Sequence, residues 1–225
     1  MKTAVLTTLI MAFALSAFAG PIYDLQTGVY AELDQVTVTD AVVTGVRYNG
    51  MFISEAPNQP YAGTWVYTGS TPAVVTGDLV NVQGLYKEYY GFSEIDVSAD
   101  PLGYAVKAGV HGFSLYPIEV TVADLAADAE PYEGCYIKVL DGMTVTTAPN
   151  TYGEWECESM DTPGAFLKFD DYWYDDTTVM LGDTFSGATG CLAYSFGNFL
   201  LEIFEIETAV STDATTLDQV KSLFR

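Results

Sequence analysis

Short runs of alternating apolar and polar residues, broken by Gly, Pro, Asn and Asp, fill most of the chain and read as strands. Val36, Val38, Val42 and Val46 predict a long, bent first strand rich in β-branched residues. Tyr48-Asn49-Gly50 then reads as a hairpin turn, Asn-Gly being able to supply positive φ angles. Met51 to Ser54, Gly63 to Thr68, Asp78 to Tyr86 and Phe92 to Val97 follow as strands two to five. Ser98 to Tyr116 carries Pro101 and three glycines and reads as a linker or a stray β-ribbon. Thr121, with Asp124 in a capping-box-like position, predicts a short helix over Val122 to Ala127.

The pattern then recurs. Cys135 to Thr146, Glu154 to Ser159, Ala165 to Phe169, Phe185 to Tyr194 and Phe199 to Ile206 form a second set of five strands. Gly77-Asp78 leading to Tyr89-Tyr90-Gly91-Phe92 is answered by Gly182-Asp183 leading to Tyr194-Ser195-Phe196-Gly197, and Val36 to Asp40 aligns with Ile137 to Asp141. Matches about 100 residues apart cover a domain length, so duplication is the simplest account. In the second set, Gly190 lies one residue further from its Gly-Asp pair than Gly84 does, which predicts a bulge in the fourth strand. The fold expected is all-β, with two tandem five-stranded barrels and short peripheral helices. Its parts are a first barrel over 20–98, a linker over 99–119, a second barrel over 120–210 and a C-terminal helix over 211–225, where Leu217, Val220 and Phe224 share one face.

Residues 1–19 carry one positive charge, an apolar run from Ala4 to Phe18 and Ala17-Phe18-Ala19 before Gly20, the layout of a signal peptide. Export to the periplasm or the extracellular space is therefore expected, without membrane insertion. The whole chain has a formal charge of −22, and loss of Lys2 with the signal leaves 7 basic against 30 acidic residues. Such a charge repels phosphate polymers and anionic lipid. With 49% apolar and 14% aromatic residues the composition is still that of a folded protein. Two of the cysteines are expected to pair in an oxidising compartment. Cys135 with Cys191 is the preferred pair, since each follows a Gly at the start of strands expected to be neighbours. Such a bond would add about 4 kcal/mol in the chain-entropy picture. Three buried thiols are the alternative.

Val38-Thr39-Asp40-Ala41-Val42-Val43-Thr44-Gly45-Val46-Arg47-Tyr48-Asn49-Gly50-Met51-Phe52-Ile53, followed by Gly77-Asp78-Leu79-Val80-Asn81-Val82-Gln83-Gly84, resembles the OB-fold modules of secreted bacterial proteins, including those attached to extracellular endonucleases and exonucleases. The likeness covers most of the first unit and, more loosely, the second. Its residues build barrels, so it speaks to fold more than to ligand.

Catalytic chemistry finds little support. The only His is His111, in the Gly-rich ribbon without a neighbouring nucleophile, and three scattered Cys do not have zinc-ligand spacing. No phosphate-cradling GxxxxGK loop is present, and no cofactor is expected. Asp170 to Asp176 gathers four carboxylates but lacks the layout of a calcium loop, so solvated surface charge is the reading preferred. Aromatic residues are the better clue. OB barrels bind on the face of strands two and three and on the flanking loops. Those places hold Arg47, Tyr48, Asn49, Trp65, Tyr67, Tyr89 and Tyr90 in the first unit, and Tyr152, Trp155, Tyr172, Trp173 and Tyr174 in the second. Such rings stack on sugars or bases, although strand aromatics also simply pack. Nucleic-acid binders need a basic groove, which seven bases over two units do not readily build. The function expected is thus a non-catalytic module for a glycan or a protein, with a nucleic-acid accessory or a structural component as alternatives.

Overall fold

In a computed structural model the described residues are 20–171 and 178–207, and they are mostly β-strand. The expected C-terminal helix over 211–225 and Tyr172, Trp173 and Tyr174 lie outside them. No helix among the described residues is long and apolar enough to cross a membrane.

A one-and-a-half-turn helix, α1 (Pro21–Gln26), leads into β1 (Gln35–Arg47), β2 (Gly50–Ser54), β3 (Gly63–Tyr67), β4 (Asp78–Tyr89) and β5 (Phe92–Asp96). These five close into a barrel in the order β1-β2-β3-β5-β4, with β1 paired to both β2 and β4. One strand reaches both neighbours because it bends. Val36 to Val38 lie against β4, Val42 to Arg47 lie against β2, and the register shifts between Val38 and Ala41, where Asp40 takes φ 55°. Ile22, Val36, Val38, Met51, Ile53, Val66, Val80, Val82, Tyr86 and Ile95 fill the interior, and Leu25 of α1 joins this core. The 98–116 stretch is not merely a linker. Its β6 (Tyr104–Val110) pairs antiparallel with Asp78 to Gln83 of β4 as a sixth strand.

The second half contains β7 (Ile118–Val120), α2 (Val122–Ala127), a 3-10 turn (Glu130–Tyr132), β8 (Tyr136–Val139), β9 (Met143–Thr147), β10 (Glu154–Ser159), β11 (Phe166–Asp170), β12 (Thr184–Phe185), β13 (Gly187–Ser195) and β14 (Asn198–Glu207). They form one sheet in the order β12-β9-β10-β11-β14-β13-β8-β7, which is open where the first sheet is closed. The single first strand expected from Cys135 to Thr146 is two strands here. Asp141 breaks it: the buried carboxylate accepts the Val122 amide at the start of α2 (2.9 Å) and the Ser159 hydroxyl, so Leu140 to Gly142 leave the ladder. Thr121 and Asp124 make the expected capping box, and the bulge expected near Gly190 falls between Thr189 and Gly190.

The expected Cys135–Cys191 disulfide is not formed, and all three cysteines are buried thiols. The strands are neighbours as expected, but the register is offset by one residue. Cys191 stands opposite Tyr136, while the Cys135 carbonyl accepts from the Leu192 amide (3.0 Å). Successive residues point to opposite faces of a sheet, so Cys135 enters the core of the second half and Cys191 joins an outer cluster. Burial pushes the Cys135 thiol up to about 11 and the Cys157 thiol up to about 12, and it raises Cys191 as well. Thiolate is the reactive form, so these groups are shielded.

The halves meet over apolar surface. Phe52 and Trp65 on the outer face of the first barrel pack with Cys191, Ala193 and Leu200 of the second half, flanked by Tyr136 and Phe204. Burying a Phe52-sized side chain contributes about 1.5–3 kcal/mol. Backbone also touches backbone. A Cβ on Gly63 would lie 2.3 Å from the Gly134 carbonyl oxygen, and one on Gly134, itself at φ 70°, would lie 2.6 Å from the Thr64 Cα. Gln26 Nε2 donates to the Gly63 carbonyl (2.8 Å) and to the Glu133 carbonyl (3.3 Å), and the Ser93 amide donates to Glu133 Oε1 (2.9 Å).

Two outcomes follow from this packing. Gly63→Ala is expected to destabilise by about 1–3 kcal/mol, since neither backbone can yield without opening the seam; a urea midpoint equal to wild type would contradict the contact. A thiol reagent should label none of the three cysteines in the native protein and all three after denaturation, whereas a loss of thiols in the denatured, unreduced protein would restore the disulfide.

Candidate functional site

Strand register builds the site on the outer face of the first barrel. Trp65 stands beside Phe52 on one side and Glu94 on the other, Tyr67 beside Gly50 and Asp96, and Lys87 and Tyr89 beside Glu94 and Phe92. Alternation therefore turns Phe52, Trp65, Tyr67, Lys87, Tyr89, Phe92, Glu94 and Asp96 outward together, while Met51, Ile53, Val66 and Ile95 turn inward. Arg47 ends β1 opposite Gly50. The Asn-Gly turn works through close approach rather than backbone sign. Neither Asn49 nor Gly50 has positive φ, but a Cβ on Gly50 would lie 2.3 Å from the Val66 carbonyl oxygen and 2.4 Å from the Trp65 ring.

The second half covers only part of this face. Between the uncovered part and Ala193, Tyr194, Ser195 and Glu202 lies an open cleft of about 490 Å³. That volume suits a small ligand or one or two units of a polymer. Arg47, Asn49, Trp65, Tyr67 and Tyr89 of the sequence-derived candidates line it. Tyr48 and Tyr90 are exposed and are not part of its lining, Tyr90 standing at the β4–β5 turn edge-on to Tyr89 with centroids 4.9 Å apart. Of the second-half candidates, the described Trp155 and Tyr152 are not part of its lining. Trp155 is 2% exposed in the second core, stacked on Phe169 at 5.7 Å and 9°, and Tyr152 is 81% exposed on the turn before β10.

Sequence reasoning passed over the charged floor of the cleft. Phe92, Glu94 and Asp96 alternate along β5, a pattern that puts two carboxylates on one face of a buried strand. Lys87 forms an ion pair with Asp96, and Arg47 Nη1 donates to Glu202 Oε1 across the seam at 2.9 Å. Burial pushes the Glu94 carboxyl up to about 7, with Asp96 adding to the rise and Lys87 opposing it. In the Arg47–Glu202 pair, burial drives both members toward neutrality and the mutual attraction resists. Glu202 rises to about 8 and Arg47 falls to about 10, which leaves the guanidinium charged at neutral pH. No His or Cys lines the cleft. His111 sits on the exposed ribbon, its Nδ1 3.3 Å from the Phe113 carbonyl. Among the described residues no group of three His, Cys, Asp or Glu side chains is placed to hold a metal ion.

No protein-family model matches the chain, and no curated protein matches it. Two solved structures overlap it weakly. One, described as "Molecular basis for abrogation of activation of pro-inflammatory cytokines", is 11% identical with a TM-score of 0.28. The other, described as "Structural mimicry for functional antagonism", is 12% identical with a TM-score of 0.31. Each overlap spans 76% of this chain and 88% of the other. Likeness this weak carries no argument about fold or function.

The buried carboxyls set the pH dependence of stability. Glu94 near 7, Glu202 and Glu133 near 8 and Asp170 near 6 all bind a proton more tightly folded than unfolded. Their contribution is full below the ordinary carboxyl range and is lost as pH rises through these values. The depressed carboxyls Asp78, Asp96, Asp100 and Asp124 act in the opposite sense, but only at more acid pH. The melting temperature is therefore expected to fall from about pH 5.5 to 8.5, and Glu133→Gln, which keeps an acceptor for Ser93, should flatten the slope. A melting temperature that climbs over this range would contradict the burial argument.

Proposed function

We propose that the chain is a secreted, non-catalytic binding protein built from two tandem OB-like barrels, and that it holds a glycan in the cleft at their seam. The observation that carries the reading is the make-up of the cleft: aromatic rings on the strand-two and strand-three face, with carboxylates among them and, among the described residues, neither a nucleophile–base pair nor a metal cluster. Rings offer flat apolar surface to a sugar, and carboxylates accept from its hydroxyls.

Several features support the architecture. The order β9-β10-β11-β14-β13-β8, with a parallel pair β11–β14, follows β1-β2-β3-β5-β4, with its parallel pair β3–β5. A second barrel results if β8 and β9 count as one first strand interrupted at Asp141, the position aligned with Asp40 in β1. The pattern of residues 1–19 supports export.

Nucleic acid fits the cleft less well. Its two cations, Arg47 and Lys87, already face Glu202 and Asp96, and Glu94 adds negative charge where a phosphate would have to pass.

The test is binding of mature protein (20–225) to neutral oligosaccharides beside labelled single-stranded DNA across a salt series. Binding of at least one oligosaccharide is expected, little affected by salt and weakened about tenfold by Tyr89→Ala, the loss of one stacking ring. DNA binding that weakens with salt, with no oligosaccharide bound, would overturn the proposal in favour of a nucleic-acid accessory.

A further inference from the structure

Carboxyl groups outnumber cations in the cleft. Three carboxylates and two cations line it, and each cation already has a carboxylate: Arg47 has Glu202 Oε1 and Lys87 has Asp96. Glu94 is what remains. It is 6% exposed, it opens onto the cleft between Trp65 and Lys87 in the strand register, and its side chain has no hydrogen bond to any described residue. The second oxygen of Glu202, by contrast, is closed off from the cleft. Glu202 is 5% exposed, and its Oε2 is buried without a hydrogen-bond partner.

A buried carboxyl without a donor is costly, and an occupant of the cleft that brings a donor and positive charge would relieve that cost at Glu94. A neutral sugar would supply hydroxyls but leave Glu94 without a countercharge. A divalent cation lacks a third ligand among the described residues. An acidic sugar would bring a like charge against Glu94. An ammonium group satisfies Glu94, and the aromatic walls formed by Trp65, Tyr67 and Tyr89 favour a cation near their faces.

We propose that the cleft selects saccharides bearing a free amino group, with the ammonium at Glu94 and the ring against Tyr67 and Tyr89. This rests on the glycan reading above and narrows it to a substrate class. Burial already raises the Glu94 carboxyl, and an ammonium would bring it back down, so part of the binding free energy comes from relieving that cost.

Calorimetry on the mature protein at low salt separates the possibilities, with three probes: the β-1,4-linked tetramer of glucosamine, the same tetramer fully N-acetylated, and the β-1,4-linked glucose tetramer. The amine tetramer is expected to bind at least about tenfold tighter than the acetylated one, as a charge-assisted bond to a desolvated carboxylate implies. Glu94→Gln should reduce its affinity to that of the acetylated tetramer. Glu119→Gln, an exposed charge on β7 outside the cleft, should leave all three unchanged. Glu94→Gln removes a buried charge and should melt no lower than wild type, so a lost preference is not lost folding. Equal binding of all three tetramers, or a preference that survives Glu94→Gln, would overturn the inference while leaving the glycan reading standing. Binding of none of the three would overturn both.

Discussion

Phe52 and Trp65 lie on the outside of a closed barrel whose interior is already full, and the second half of the chain is what takes them out of water. This one constraint organises much else. Covering two aromatic side chains brings β13 and β14 against β2 and β3, and glycines at 45, 63 and 134 let backbone and rings approach where any Cβ would collide. Glu133 and Gln26 then satisfy polar groups that the contact would otherwise bury unpaired. The halves are thus joined by core-like packing, unlike domains on a flexible tether.

The cleft is the remainder of the same face. Strand alternation sends Tyr67, Lys87, Tyr89, Phe92, Glu94 and Asp96 outward with Trp65, and the second half is not broad enough to cover them all. A surface that must be apolar at the seam and can be charged beyond it yields rings next to carboxylates. Burial at the seam raises the Glu94 and Glu202 carboxyls, and the two cations that line the cleft among the described residues, Arg47 and Lys87, are engaged with acids. Stability and the proposed ligand preference therefore draw on the same few buried groups.

Much of this was legible from residue pattern. β-branched alternation located the strands, Asn-Gly located the first hairpin, Thr121 with Asp124 located a helix start, and one extra residue before Gly190 located a bulge. Other features depend on facts a linear pattern does not carry. Trp65 and Trp155 occupy similar strand settings, yet one faces the cleft and the other the core, because both faces of these strands meet apolar neighbours. The disulfide failed on a one-residue register offset, which sequence adjacency of strands does not fix. Asp141 looked like a strand residue aligned with Asp40 and instead anchors α2. Glu94 and Glu202 were invisible as a pair, since only the folding of one half onto the other brings β5 and β14 to one cavity.

The central claim is that the seam belongs to the core, so that the cleft is a fixed shape. Native-state hydrogen exchange tests it most directly at the amides of Ser93 and Tyr61, which donate to Glu133 Oε1 and to the Pro131 carbonyl across the seam. The account predicts that both exchange only through the global opening that also exposes Val66 in the barrel. Exchange of the two seam amides through a much cheaper opening, with Val66 still protected, would mean that the halves part in solution, and it would contradict the account.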